Sequence, residues 1–233
     1  TSYSKFMAAL KNDKIEIEFK QKKIDFPKLF NIDFWFKPQV IQDLTIIKKN
    51  IDLIKNEDVK DFMKVVFSEI VRTSSNTRNN EFKLYRINEE KLKKYSPNTI
   101  DFFERKVKKN IESMDNFTKE ATKTEILILD EDSRNRTSIP SNSVDFVLTS
   151  PPYGDSRTTV AYGQFSRLAL QWLDFDYDLV KEIDKTSLGG RPVKDFNYNL
   201  DSATLNRVLE DIKVQDTKRA RDVLTFYLDF FDC

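Results

Sequence analysis

Glycine is almost missing from this chain, and that limits the loops it can build. The four glycines are Gly154, Gly163, Gly189 and Gly190, so none lies in the first 153 residues. Phosphate cradles and tight nucleotide-binding turns need glycine because only glycine lets the backbone approach a ligand so closely. The first two-thirds of the chain therefore cannot form a glycine-rich nucleotide-binding loop.

The residue types present also limit the chemistry. The chain has no histidine and one cysteine, Cys233. Histidine-based triads, HExxH zinc sites, disulfide frameworks and CxxC metal sites are therefore excluded, and no metal site is predicted. No apolar run approaches the ~20 residues of a membrane span, so no membrane partner is expected. Any catalysis must use carboxylates, hydroxyls, amides or the reactivity of a cofactor.

Residues 1–120 are predicted to form a mainly helical region. Apolar residues recur at helical spacing in two neighbouring segments, which indicates a helical hairpin. Alternation of Ile15, Ile17 and Phe19 predicts one strand. The predicted elements are a helix at 4–11, a strand at 14–19, helices at 38–54 and 59–70, and a long helix at 98–123.

Between the hairpin and the long helix lies a polar loop rich in arginine, serine and asparagine. We expect its basic side chains, Arg72, Arg78, Lys83 and Arg86, to contact nucleic acid, because this composition suits phosphates and base edges. Lys91, Lys93 and Lys94 follow directly. Residues 1–120 hold 25 basic and 19 acidic residues, so the N-terminal half is modestly basic. A solvated loop and helix face would explain the same pattern.

Residues 121–233 change in character. Two short apolar runs, 125–130 and 144–149, are predicted to be buried strands, with helices near 163–184 and 204–233. Buried strands flanked by long helices indicate an α/β fold with a parallel sheet. Ligands of such sheets bind at the carboxyl ends of the strands. Ser150-Pro151-Pro152-Tyr153 directly follows the second run and is therefore expected at that edge.

The chemistry of this tetrapeptide suits a planar base that carries an exocyclic amine. Pro151 and Pro152 fix the backbone and remove two N–H donors. The Ser150 hydroxyl and nearby carbonyls remain as acceptors for the amine, while Tyr153 can stack on a base that has left the duplex.

The segment Thr149-Ser-Pro-Pro-Tyr153, after the apolar run 144–148, resembles motif IV of the S-adenosylmethionine-dependent DNA amino-methyltransferases. The resemblance implies a Rossmann-like class I methyltransferase sheet and methyl transfer to a flipped base of double-stranded DNA. It assigns Ser150, Pro151, Pro152 and Tyr153 to catalysis. Serine at the first position favours N4 of cytosine. Adenine N6 methylation, or a non-catalytic DNA-recognition subunit with this fold, stays open.

Further roles follow from the same resemblance. Asp130, Asp132 and Thr149 are expected near S-adenosylmethionine. Arg157 and Tyr162 belong to a segment similar to the loop that covers the flipped base, so they are expected to contact DNA. The family's glycine-rich motif I has no match in the chain. A cofactor-binding segment is therefore expected upstream, downstream or on a second polypeptide, in a cytoplasmic enzyme.

Related methyltransferases fit less well. Cytosine C5 enzymes need a cysteine that follows a proline, and Cys233 follows Asp232. RNA guanine-N2 and protein glutamine-N5 methyltransferases use similar turns, but they carry an amide or carboxylate where this chain has Ser150.

Overall fold

The computed structural model describes residues 2–20, 25–81, 83–121, 124–150 and 162–233. These residues form helices joined by irregular segments, and they divide into two compact units. The helices are α1 (Ser2–Lys20), α2 (Ile32–Trp35), α3 (Pro38–Asp52), α4 (Glu57–Ser74), α5 (Glu89–Lys94), α6 (Thr99–Glu120), α7 (Tyr162–Trp172), α8 (Tyr177–Thr186), α9 (Ala203–Gln215) and α10 (Thr217–Phe231).

The first unit comprises residues 1–124 and 165–180, and its core lies between α3, α4 and α6. Helix α3 begins at Pro38, which suits the first helical turn. Helices α4 and α6 begin after asparagines whose side chains accept a backbone N–H of the first turn: Asn56 from Val59, and Asn98 from Asp101. The predicted helical hairpin and long helix are therefore confirmed.

Helix α1 corrects the prediction of a strand at 14–19, because the helix continues through Lys20. Contacts with α3 explain the difference. Leu10 is fully buried in the core of the unit. The Asn50 amide donates to Asp13 Oδ2 at 3.0 Å, and Lys14 Nζ lies 3.2 Å from Asp43 Oδ1. Packing on a neighbouring helix thus overrides the local preference for a strand.

The second unit comprises residues 125–164 and 181–233, in which α9 packs on α10. The backbone conformation and the close packing after α8 require glycine at positions 189 and 190. Gly189 has φ 72°, a left-handed conformation that favours glycine. A Cβ on Gly190 would lie 2.4 Å from the Asp184 carbonyl oxygen and 2.6 Å from that of Lys185. The chain therefore turns here in a space that only glycine fits.

The predicted α/β fold class, with its Rossmann-like sheet, is wrong for the residues that the structure describes. They contain no β-strand, only an isolated antiparallel bridge between Thr77 and Arg86. The apolar runs 125–130 and 144–149 are irregular and exposed, with Ile128 90% and Leu148 88% accessible. A strand needs a neighbour for its backbone N–H and C=O groups. No described segment supplies one, so β-type residues alone do not make a strand.

The helices of the described residues include none that is both long and apolar enough to cross a lipid bilayer.

Candidate functional site

The motif that carries the catalytic prediction is only partly described. Thr149 and Ser150 are exposed and irregular, directly after the apolar run 144–148. Pro151, Pro152, Tyr153 and Arg157 lie outside the described residues. The role of Ser150 in catalysis stays a prediction.

Two other predicted site residues, Asp132 and Tyr162, line one cleft of about 300 Å³ in the second unit. Tyr162 begins α7 and is exposed. Asp130 is exposed and does not line the cleft. The structure thus brings together one residue expected at the cofactor and one expected at DNA. The cleft is lined by Glu131, Asp132, Ser133, Arg134, Tyr162, Thr186, Ser187 and Leu188.

The Asp132 carboxylate is already engaged by Arg134. Arg134 Nε donates to Oδ1 at 2.9 Å and Nη2 donates to Oδ2 at 2.6 Å, a two-point pairing. Hydrogen bonds from this guanidinium lower the pKa of Asp132 to about 2. Arg134 Nη2 also donates to the Thr186 carbonyl at 2.8 Å. The pair thus forms part of the lining of the cleft, and it keeps Asp132 ionised.

Metal-binding side chains do not cluster in this region. Among the described residues, no group of three or more Asp, Glu, His or Cys side chains is placed to hold a metal ion.

Arg72, predicted to contact DNA, is buried within the first unit. Its guanidinium lies 3.9 Å from the centre of the Phe165 ring, and Nη1 donates to the Phe165 carbonyl at 3.1 Å. Nη2 donates to the Glu81 carbonyl at 2.5 Å. These contacts fasten the polar loop and the start of residues 165–180 to α4.

Arg86 is similarly occupied. Its Nη1 lies 2.7 Å from Glu89 Oε1, and its Nε donates to the Phe34 carbonyl at 3.1 Å. The guanidinium also lies 4.4 Å from the centre of the Phe34 ring. Both Arg72 and Arg86 thus have structural partners. A role in DNA binding stays a prediction for them.

Arg78 lies differently, on a polar groove of about 790 Å³ between the loop and α5. Its side chain is exposed. Lys83 is partly exposed and is not among the lining residues. We name this feature the polar groove; its lining residues are Thr77, Arg78, Asn79, Asn80, Glu81, Ile87, Asn88, Lys91, Lys94 and Tyr95.

The polar groove includes two basic residues that are absent from the predicted set, Lys91 and Lys94. The three-residue spacing of Lys91 and Lys94 in the sequence indicates that they lie together, because residues three positions apart on a helix share a face. Lys93 lies between them and does not line the groove. The spacing of the lysines therefore distinguishes Lys91 and Lys94 from Lys93 only when residues 89–94 are known to be a helix.

Tyr95 at the end of the polar groove gives a pH-dependent prediction. Its hydroxyl donates to the Thr73 carbonyl at 2.6 Å, and burial raises its pKa to about 12. The folded state therefore holds the proton more tightly than the unfolded chain, whose value is 10.0. This contribution to stability is complete below pH 10 and is lost as the pH rises from 10 towards 12.

We expect Tyr95→Phe to lose about 0.5–1.5 kcal/mol at pH 8, the usual net contribution of a hydrogen bond. The difference between wild type and variant should narrow towards pH 11. Urea unfolding followed by circular dichroism at pH 8, 10 and 11 measures it. A difference that is constant across these values would contradict the assignment.

Comparison with known proteins gives one informative similarity. No protein-family model matches the chain, and no solved structure matches it. The chain is 41% identical over 225 residues to the Type II methyltransferase M.MvaI of Kocuria varians. The match covers 88% of this chain and 48% of that protein, so the chain spans about half the length of its relative. Over most of its residues, the chain is similar to a Type II methyltransferase.

Proposed function

We propose that the chain is the base-handling part of a site-specific DNA methyltransferase that methylates N4 of cytosine. The observation that carries the proposal is the similarity to a Type II methyltransferase over most of the chain, including 41% identity. The Ser-Pro-Pro-Tyr segment also supports it, because its chemistry suits an exocyclic amine. Ser150 at its first position favours cytosine over adenine.

In this proposal the residues of the chain bind and orient the base. The Ser150 hydroxyl and a backbone carbonyl accept the two amine N–H groups, which exposes the nitrogen lone pair. Tyr153 stacks on the flipped base, a contact worth roughly 1–3 kcal/mol that offsets part of the flipping cost. S-adenosylmethionine, when bound, supplies an electrophilic methyl group. Alignment of the amine is then the main contribution of the chain to the rate.

The described residues fit only part of that cofactor. The cleft beside Asp132 has about 300 Å³, at the lower end of the range for small-molecule sites. Its carboxylate already accepts from Arg134. Asp132 lines this cleft, whereas Asp130 and Thr149 do not, so the proposed place of Asp130 and Thr149 near the cofactor rests on the family resemblance alone. The remaining contacts are proposed to come from a glycine-rich segment outside these 233 residues or on a second polypeptide.

The proposal gives the two halves of the chain different roles. Residues 1–120 contact double-stranded DNA through the basic loop, and residues 121–233 carry the catalytic turn. Arg157 and Tyr162 contact the DNA near the flipped base.

The proposal is tested by labelled methyl transfer to duplex DNA, with the full natural polypeptide that contains these residues. We expect the label in DNA, and N4-methylcytosine after digestion and mass spectrometry. If the product were 6-methyladenine, the cytosine assignment would be wrong and the enzyme class would stand. Specific DNA binding without any methyl transfer would instead identify a recognition subunit.

A further inference from the structure

We propose that the polar groove binds the phosphate backbone of DNA through Arg78, Lys91 and Lys94. This inference rests on the proposed function, because it assumes that the chain acts on DNA. It adds where the DNA binds and which part of the DNA is contacted. The groove contacts phosphates and so contributes affinity, while other residues read the base edges.

The charges that line the polar groove favour an anion. Three of its side chains are cationic and one, Glu81, is anionic. Glu81 lies 4.0 Å from Arg78, the outer limit of an ion pair, and both side chains are substantially exposed. Such a contact is weak and gives way readily to a phosphate. The nearby Glu89 does not line the groove and is paired with Arg86.

Helix α5 presents its lysines to the groove in a defined register. Lys91 and Lys94 are both exposed, and they lie three positions apart on one face. Leu92, between them in sequence, is buried and holds the helix to the first unit. The Asn88 side chain accepts from the Lys91 N–H at 2.9 Å and so fixes the start of the helix. The two ammonium groups are thus carried by an anchored element.

The opposite wall of the polar groove is also held in place. The Arg78 N–H donates to the Tyr85 carbonyl at 2.8 Å, and the Ile87 N–H donates to the Asn76 carbonyl at 2.8 Å. The hydroxyls of Ser75 and Thr77 are 2.8 Å apart and buried. A loop ordered before binding loses less entropy when it meets its ligand.

Uncharged donors complete the lining. Asn79, Asn80 and Asn88 place three side-chain amides in the groove. Asn79 donates to the Thr73 carbonyl at 3.3 Å, and Asn88 uses its oxygen to cap α5. Asparagine amides and basic side chains are common donors to phosphate oxygens.

The same lining disfavours an acidic protein as the ligand. Protein interfaces depend on aromatic or aliphatic anchors in desolvated pockets. Among the residues that the structure describes, Ile87 and Tyr95 are the large apolar or aromatic ones in this lining, and the Tyr95 hydroxyl is hydrogen-bonded to the Thr73 carbonyl. A DNA backbone needs no such anchor, because its affinity comes from counterion release.

The test compares two double variants of the full natural polypeptide. Lys91→Gln with Lys94→Gln removes two groove cations. The control, Lys93→Gln with Lys109→Gln, removes the same charge from exposed lysines outside the groove. DNA affinity is measured at several salt concentrations. Each lost phosphate contact should reduce the slope of log affinity against log salt by about 0.9, so the groove variant should lose about 1.8.

The difference between the two salt slopes corresponds to a measurable difference in DNA affinity. Between about 50 and 200 mM salt, the wild type should weaken roughly twelvefold more than the groove variant. The control should follow the wild type. Equal slopes for the groove and control variants would overturn the inference, although DNA binding by the wild type would leave the proposed function intact. A wild type that does not bind DNA would overturn both.

A second arm uses polyglutamate as the probe. We expect it to bind at least tenfold more weakly than DNA at equal charge concentration. Comparable binding that is lost in the groove variant would overturn the inference in favour of an acidic protein partner.

Discussion

Replacing Ser150 by alanine is expected to lower the rate of methyl transfer by on the order of 100-fold. The hydroxyl is proposed to accept one N–H of the target amine, and the change removes that acceptor. The amine then loses the contact that aligns its lone pair with the methyl group. Binding of DNA should change little, because the hydroxyl is a small part of the interface. Steady-state kinetics with labelled methyl donor and duplex DNA measure both quantities.

Ser141→Ala is the matched control. It makes the same chemical change at another exposed serine of the second unit, nine residues earlier. Its rate should equal that of the wild type. A Ser150→Ala enzyme with full activity would remove Ser150 from the site, while loss of DNA binding alone would reassign it to recognition.

Trp172→Ala is expected to destabilise the first unit by about 3–5 kcal/mol, the usual cost of removing a large buried aromatic residue. Trp172 is 1% accessible and is the largest fully buried side chain of the described residues. Its ring packs edge-on against Phe36 at 5.7 Å and Phe67 at 6.1 Å. Alanine would leave a cavity beside Phe36 and Phe67. Urea unfolding followed by far-ultraviolet circular dichroism reports the change.

The indole nitrogen makes Trp172→Phe an informative control. Nε1 is buried and has no hydrogen-bond partner among the described residues. An unmade hydrogen bond of this kind costs about 1–3 kcal/mol. Phenylalanine keeps most of the aromatic packing and removes the unpaired donor, so its cost should be less than half that of alanine. If both variants were equally destabilised, the expectation that the unpaired indole nitrogen costs stability would be wrong.

Helices were predictable where the residues at apolar helical spacing are also the residues that are buried in the core. The apolar stripe of α3, with Val40, Leu44 and Ile47, is buried as its spacing requires. The strand prediction at 14–19 was wrong because contacts with α3 outweigh the alternating pattern there. The strand predictions at 125–130 and 144–149 were wrong because a strand needs a neighbouring strand, which its own sequence cannot reveal.

The basic loop shows a similar limit for the candidate site. Arg72 and Arg78 have the same chemistry and lie six residues apart. Yet Arg72 is buried on Phe165, while Arg78 lines the polar groove. Which arginine faces solvent depends on tertiary contacts with residues over 80 positions away. The Ser-Pro-Pro-Tyr segment was recognisable because its chemistry is local, contained in four consecutive residues.

The exposed apolar runs have a practical consequence for the chain in solution. Ile126, Leu127 and Ile128 form one, and Phe146, Val147 and Leu148 form the other; both are more than two-thirds accessible. Short β-branched and aromatic segments without a partner pair readily with copies of themselves. These two runs therefore favour self-association of the chain, and the nearby charges of Glu125, Asp130 and Asp145 oppose it.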